Sequence, residues 1–256
     1  MTTGTLIRAR GATRPANRPA WPTVLAMHLL PAAATFAAAL ALGPLMRAWH
    51  LPPQFALTLA FAFVLTPIEL GLLLAAVRAA RNLRAAGWSP RRLPEILAFR
   101  RRLPLRLYLL ILPCLTAMAV GLAMLLAPLE RRVLDGYPAG WALPPDSDAY
   151  PVATLVATLL VTLLVDGLVN PAVEELYFRA YLLPRLPVRG ALAVVTSAGL
   201  FAAQHYWQPE KFAFIFLAQL LLIVVMLRVR SVRISIAAHC LTNSLAILFA
   251  LATVLT

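Results

Sequence analysis

The sequence predicts an all-α fold: a polytopic transmembrane helical bundle of about seven spans, with an interfacial helix between the second and third. Three observations carry this expectation. The chain is 61% hydrophobic with a mean hydropathy of +0.81, well above the roughly 45–50% apolar content of soluble domains. Its apolar residues gather into windows close to the ~20 residues that a helix needs to cross hydrocarbon. Its basic residues, 23 against 10 acidic ones, lie between those windows. A net charge of +13 taken alone would suit a nucleic-acid binder. The arginines form no basic amphipathic face and accompany no nucleic-acid-binding motif, so nucleic acid is set aside and the partner implied is the lipid bilayer.

The windows run 23–46, 55–77, 106–128, 151–170, 190–207, 212–228 and 234–255. The first exceeds a signal-peptide core and is followed by further spans, so it reads as a retained helix. Between the second and third spans, residues 81–105 are rich in arginine, and RRLPEILAFRRRL (91–103) reads as a helix lying in the interface, its arginine stems snorkelling to anionic headgroups. The loop 130–150 carries Glu130, Asp135, Asp146 and Asp148. The fourth span continues into an acidic segment, and Pro171 predicts a kink or break within it. No internal repeat is visible. Nineteen basic residues precede the first span or fall within 78–106, 179–189 and 228–233, whereas the alternate loops hold only Arg47, Arg131, Arg132 and Lys211. That asymmetry predicts a cytoplasmic N-terminus and, with seven spans, an external C-terminus. Alanine- and arginine-rich composition suggests a GC-rich bacterial genome, hence a bacterial inner membrane.

The character of the chain changes near residue 150. Residues 1–150 read as an N-terminal membrane portion whose spans are almost free of internal polar groups, and 151–256 as a functional helical bundle. Ionisable groups inside a bilayer are expensive and mark functional cavities or pairs. The stretch EELYFR (174–179) places two carboxylates and an arginine there. On a helix Glu175 and Arg179 are i,i+4 in the favourable acid-first order and can pair. Glu174 lies about 100° around, on the face of Phe178, and without a partner is the better general base for activating water. Phe201 and His205 are four apart in the next span, and His239 and Asn243 are four apart in the last. A histidine beside Glu174 could hold the water or shuttle its proton; His239 and Asn243 could offer N–H donors to a developing oxyanion.

Each element also has a bland reading. Glu175–Arg179 suits a structural ion pair, His205 beside Tyr206 and Trp207 suits an aromatic belt, and Asn243 suits an interhelical hydrogen bond. Asp166 has no evident role. Cys114 and Cys240 read as small hydrophobes, and His28 and His50 as solvent- or headgroup-facing.

Taken together and in this order, EExxxR, FxxxH and HxxxN on separate apolar segments resemble the CPBP family (CAAX protease and bacteriocin-processing, also called Abi) of intramembrane endopeptidases, which includes the Rce1-type CAAX prenyl proteases. The resemblance covers about residues 151–254. It implies hydrolysis of a peptide bond in a peptide or membrane-protein substrate, with Glu174 and His205 activating water and His239 and Asn243 forming the oxyanion site. Glu175, Arg179 and Phe201 would support them. Ala180 departs from the pattern, which often has glycine after the arginine. Members are often labelled metalloproteases, and Glu174, His205 and His239 are the three side chains that could hold a divalent metal such as zinc. No HExxH motif is present, so no cofactor is firmly implied. The alternatives are a non-catalytic scaffold or immunity or secretion partner with the same fold, and a proton-coupled transporter with Glu174 and His205 as relay. Repeated, interrupted helix pairs would favour the transporter, and none is evident in the sequence.

Overall fold

A computed structural model describes residues 18–85, 97–99, 101–136 and 149–256. The bundle is all-helical. Its elements are α1 (Trp21–Ala48), α2 (Phe55–Ala60), α3 (Thr66–Ala85), α4 (Leu105–Asp135), α5 (Val152–Leu164), α6 (Asn170–Glu174), α7 (Gly190–Ala203), α8 (Phe212–Val229) and α9 (Val232–Leu255). A π-helical turn, Phe61–Leu65, joins α2 to α3, and another, Val165–Val169, joins α5 to α6. A longer π segment, Glu175–Leu182, follows α6 and ends in a 3₁₀ turn, Leu183–Arg185.

Among the described residues, six helical runs are long and apolar enough to cross a membrane, including the continuous runs Phe55–Ala79 and Val152–Arg185. The window 190–207 is shorter as a helix. Helix α7 has 14 residues, about 21 Å at ~1.5 Å per residue, and the chain continues through a turn and Pro209–Lys211 before α8.

The two interrupted runs pack side by side in a constant register. Thr58 meets Thr162 at 3.1 Å and Thr66 Oγ1 donates to Asn170 Oδ1 at 3.1 Å, each pair 104 residues apart. The same offset relates Pro67 to Pro171 and the two π turns to one another. Proline supplies no N–H to the carbonyl four residues earlier, so each helix loosens just before its proline. Two helices that break at the same height keep their register through the break. The kink expected at Pro171 is therefore taken up as a π turn, and it has a counterpart at Pro67.

Inside a bilayer the carbonyls so released need other partners, because leaving one unsatisfied costs several kcal/mol. For the fourth span, helix α9 supplies them. Asn243 Nδ2 donates to the Asp166 carbonyl at 3.1 Å, Ser244 Oγ to that of Gly167 at 3.2 Å, and Cys240 Sγ to that of Leu168 at 3.4 Å. Gly167 makes this approach possible: a Cβ there would lie 3.0 Å from Ser244 Oγ and 3.1 Å from Leu163 Cδ1.

The arginine-rich regions meet at one end of the bundle. Arg18 Nη1 donates to the Val188 carbonyl at 2.9 Å, Ala98 N to Ala180 O at 2.9 Å, and Arg101 N to Arg230 O at 3.2 Å. A buried core of Leu183, Leu186, Ile223, Met226 and Ile234 fills this end. Ala180 is itself buried there, so its methyl group is part of the packing.

Two expectations are corrected. Of the stretch read as an interfacial helix, residues 97–99 and 101–103 are non-helical, their backbone bonded to the ends of neighbouring helices, and Pro104 next in sequence disfavours a helical Leu103; residues 86–96 and 100 lie outside the described set. His28 does not face headgroups: it is fully buried, Nδ1 donates to the Val24 carbonyl at 2.7 Å, and its ring packs on Phe178 with centroids 5.4 Å apart. His50 is exposed, as expected. Cys114 is exposed on α4, and Cys240 bonds a carbonyl as described above.

Candidate active site

Glu174, His205, His239 and Asn243 line a single cavity of about 1020 Å³, together with Asp166, Asn170 and Phe201. Three different local structures deliver them. Glu174 ends α6, one residue before the π segment. His239 and Asn243 sit one turn apart on α9, the helix drawn in by the released carbonyls. His205 is not on a helix: α7 stops at Ala203, and the His205 ring folds back so that Nδ1 donates to the Phe201 carbonyl at 2.7 Å.

Glu175 and Arg179 are fully buried behind the cavity wall. Arg179 Nε lies 3.6 Å from Glu175 Oε2, Nη1 donates to Ser197 Oγ at 3.3 Å, and Nη2 donates to Gln219 Oε1. The guanidinium stacks 4.5 Å from the centroid of the Phe201 ring. Phe201 in turn packs edge-on against Phe178 at 5.1 Å and lies 5.0 Å from His205 and 6.0 Å from His239. It is the apolar hub around which the polar groups are arranged.

The pair is more than a structural tie, because Glu175 Oε1 accepts from His239 Nδ1 at 3.1 Å. A carboxylate and a carbonyl can only accept, so both histidines carry their proton on Nδ1. Their Nε2 atoms are then lone-pair acceptors when the rings are neutral. His239 can act as an Nε2–H donor only as the imidazolium, for which Glu175 is the counter-ion. Asn243 has one side-chain N–H committed to the Asp166 carbonyl, which leaves its second for the cavity.

Asp166, without a role in the sequence, lines the cavity and accepts from Thr58 Oγ1 at 2.8 Å. Sequence reasoning missed Glu69 altogether. It lies in the second span, which was read as nearly free of polar groups, yet it is fully buried and within electrostatic reach of Glu174. The rule that an intramembrane carboxylate marks function would have found it.

Acceptor nitrogens oriented by a second hydrogen bond also suit metal ligands. Among the described residues, however, no three His, Cys, Asp or Glu side chains come together as a group able to hold a metal ion. The residues as arranged do not fit a metal, and no step below passes through one.

The cavity runs on beyond the four motif side chains. Its lining continues to Leu57, Glu130, Gln208, Lys211 and Phe249, at the end opposite the buried arginine-rich cap. Toward the arginine-rich end, Tyr177, Phe178, Leu182 and Leu183 are buried.

The fold defines an integral membrane protein with a polar centre recessed in an apolar-walled cavity. Residues 156–245, about a third of the chain, match the family described as Rce1-like (type II CAAX prenyl endopeptidase Rce1-like), and the resemblance read from the three motifs holds over that segment. Neither the curated proteins nor the solved structures give a match.

Proposed function

We propose that this protein is an intramembrane endopeptidase in which Glu174 is the general base. The observation that supports this reading most is that the four motif side chains, far apart in sequence, line one cavity within the family-matched segment. In the proposed reaction a water held between Glu174 and the Nε2 lone pair of His205 gives its proton to Glu174. Its oxygen attacks the scissile carbonyl carbon, and the C=O π pair moves onto oxygen. His239, as imidazolium, and the second N–H of Asn243 face that oxyanion. Collapse of the tetrahedral intermediate breaks the C–N bond as Glu174 returns the proton to the leaving nitrogen. Glu175 positions His239, and Arg179 and Phe201 hold Glu175 in place.

Residues 151–256 are the catalytic bundle in this reading, and residues 1–150 the membrane portion packed against it. The protein sits in a bacterial inner membrane with its N-terminus cytoplasmic. Its substrates are peptides or membrane proteins in maturation, export or self-immunity rather than prenylated CAAX proteins. The test compares membrane-protein N-termini in cells carrying wild-type protein or Glu174→Gln. Uncleaved substrates should accumulate with Glu174→Gln while the purified variant keeps its thermal stability. Identical cleavage in both would defeat the endopeptidase reading and leave a scaffold.

One observation favours a second reading. The paired proline-interrupted helices, Phe55–Ala79 beside Val152–Arg185, are the kind of feature that transporters build around a mid-membrane site. Proton uptake by proteoliposomes under an imposed gradient, lost in Glu174→Gln, would support it; the family match weighs against it.

A further inference from the structure

Glu69 stands outside the family-matched segment and outside the mechanism above, and its position follows from the helix register. Thr66, Glu69 and Leu73 are spaced i, i+3, i+7 and so share one face of α3. Both flanking members of that face touch the fourth span at the common offset: Thr66 bonds Asn170, 104 residues on, and Leu73 packs in one cluster with Tyr177, also 104 residues on. Glu69 is therefore level with Val173, one residue from Glu174, on the contact line between the two helices.

Its surroundings are unusual for a carboxyl group. Glu69 is fully buried, and neither side-chain oxygen has a hydrogen-bond partner among the described residues. It does not line the cavity, so substrate and bulk water do not reach it. Among the described residues, the ionisable groups within electrostatic reach are Glu174 and Tyr177. Tyr177 spends its hydroxyl proton on the Met27 carbonyl at 2.8 Å, which leaves it no donor for Glu69. Arg179, the buried cation of this region, is committed to Glu175, Ser197 and Gln219. A carboxylate with neither cation nor donor is untenable in such a place, and two neighbouring carboxylates in a dry site do not both ionise.

We propose that Glu69 is a positioning residue for Glu174: it is carried as the neutral acid and donates its O–H to one Glu174 carboxylate oxygen, leaving the other turned toward the cavity. As two anions the side chains stand apart. With one proton between them, repulsion becomes an O–H···O⁻ hydrogen bond of about 2.5–2.7 Å. Glu69 keeps its proton throughout; the proton that moves from water to the leaving nitrogen travels on Glu174 alone. The N-terminal portion thereby contributes to the site a group that the three motifs do not contain. The catalytic consequence rests on the endopeptidase reading; the shared proton does not.

The experiment therefore has two arms. Infrared spectra of purified wild type, Glu69→Gln, Glu69→Leu and Glu174→Gln at neutral pH report the C=O stretch of protonated carboxyls. The difference between wild type and Glu69→Gln should contain one such band. In Glu174→Gln the band should persist at a shifted frequency, since the acceptor is then an amide. Loss of no band in Glu69→Gln, or an unshifted band in Glu174→Gln, overturns the pairing whether or not the protein is a protease. In the second arm, cleavage is followed with a substrate that accumulates in Glu174→Gln cells. Glu69→Gln retains an N–H donor and should stay within about threefold of wild type, while Glu69→Leu should lose about tenfold or more in kcat with little change in KM. Thermal melting of Glu69→Leu at or above the wild-type temperature separates that loss from misfolding. Equal kcat in the Gln and Leu variants overturns the positioning role.

Discussion

Replacing Arg179 by methionine would leave a fully buried carboxylate without its cation. Arg179 and Glu175 are both fully buried, with Nε and Oε2 3.6 Å apart. An exposed i,i+4 pair of this kind would contribute only about 0–1 kcal/mol, but breaking a buried pair by removing one partner costs about 3–5 kcal/mol. Ser197 Oγ and Gln219 Oε1 lose donors as well, at about 1–3 kcal/mol for each group left unsatisfied. The stacking on Phe201 at 4.5 Å is also lost, worth up to about 2 kcal/mol when desolvated. These contributions are not additive, since one side chain makes all of them, and methionine refills most of the volume. The expected destabilisation is about 4 kcal/mol, near the middle of the buried-pair range. The double variant Arg179→Met/Glu175→Gln should recover about 2 kcal/mol of it, because a neutral glutamine no longer carries an uncompensated charge. Unfolding midpoints in detergent for wild type, both single variants and the double variant give the coupling directly. A cost below about 1 kcal/mol for Arg179→Met, or a double variant no more stable than the single, would show that burial is not what makes this pair matter.

Gly167→Val should push α9 away from the fourth span, because even a Cβ would sit 3.0 Å from Ser244 Oγ; a loss of about 1–3 kcal/mol is expected in thermal unfolding, with lower cleavage activity. Asn243→Leu removes the donor to the Asp166 carbonyl, costing about 0.6–1.7 kcal/mol on the scale of membrane interhelical bonds; measured beside it, kcat should fall by about tenfold or more if, as proposed, the same amide faces the oxyanion. For topology, reporters at the N-terminus and within 186–189 should lie on one side of the membrane, because Arg18 bonds the Val188 carbonyl, and a reporter after Thr256 on the other. Reporters that place the first two on opposite sides would contradict the bundle.

Much of this protein is legible in its residues because a bilayer imposes severe local constraints. Uninterrupted apolar windows announce helices, since no other open structure satisfies its backbone in lipid. Clustered arginines mark one end, and carboxylates, histidines and asparagine inside apolar windows mark a site. The chain alone therefore determined the helical bundle, the shared side of its arginine-rich loops and the residues Glu174, His205, His239 and Asn243 as candidates. Only the tertiary structure decided how those residues meet, because that depends on where helices stop and how two of them align. Helix α7 ends before His205, and no pattern within the window signals that stop. Pro67 and Pro171 lie 104 residues apart in the sequence; packing sets their breaks at one height, and the break before Pro171 leaves the carbonyls that Cys240, Asn243 and Ser244 satisfy. Glu175 reads locally as Arg179's partner, and its hydrogen bond to His239 crosses 64 residues. Glu69 gains its meaning only from the residue level with it on another helix. Helical spacing reports which side chains share a face, but what stands opposite that face is set by packing, over distances that the order of residues does not encode.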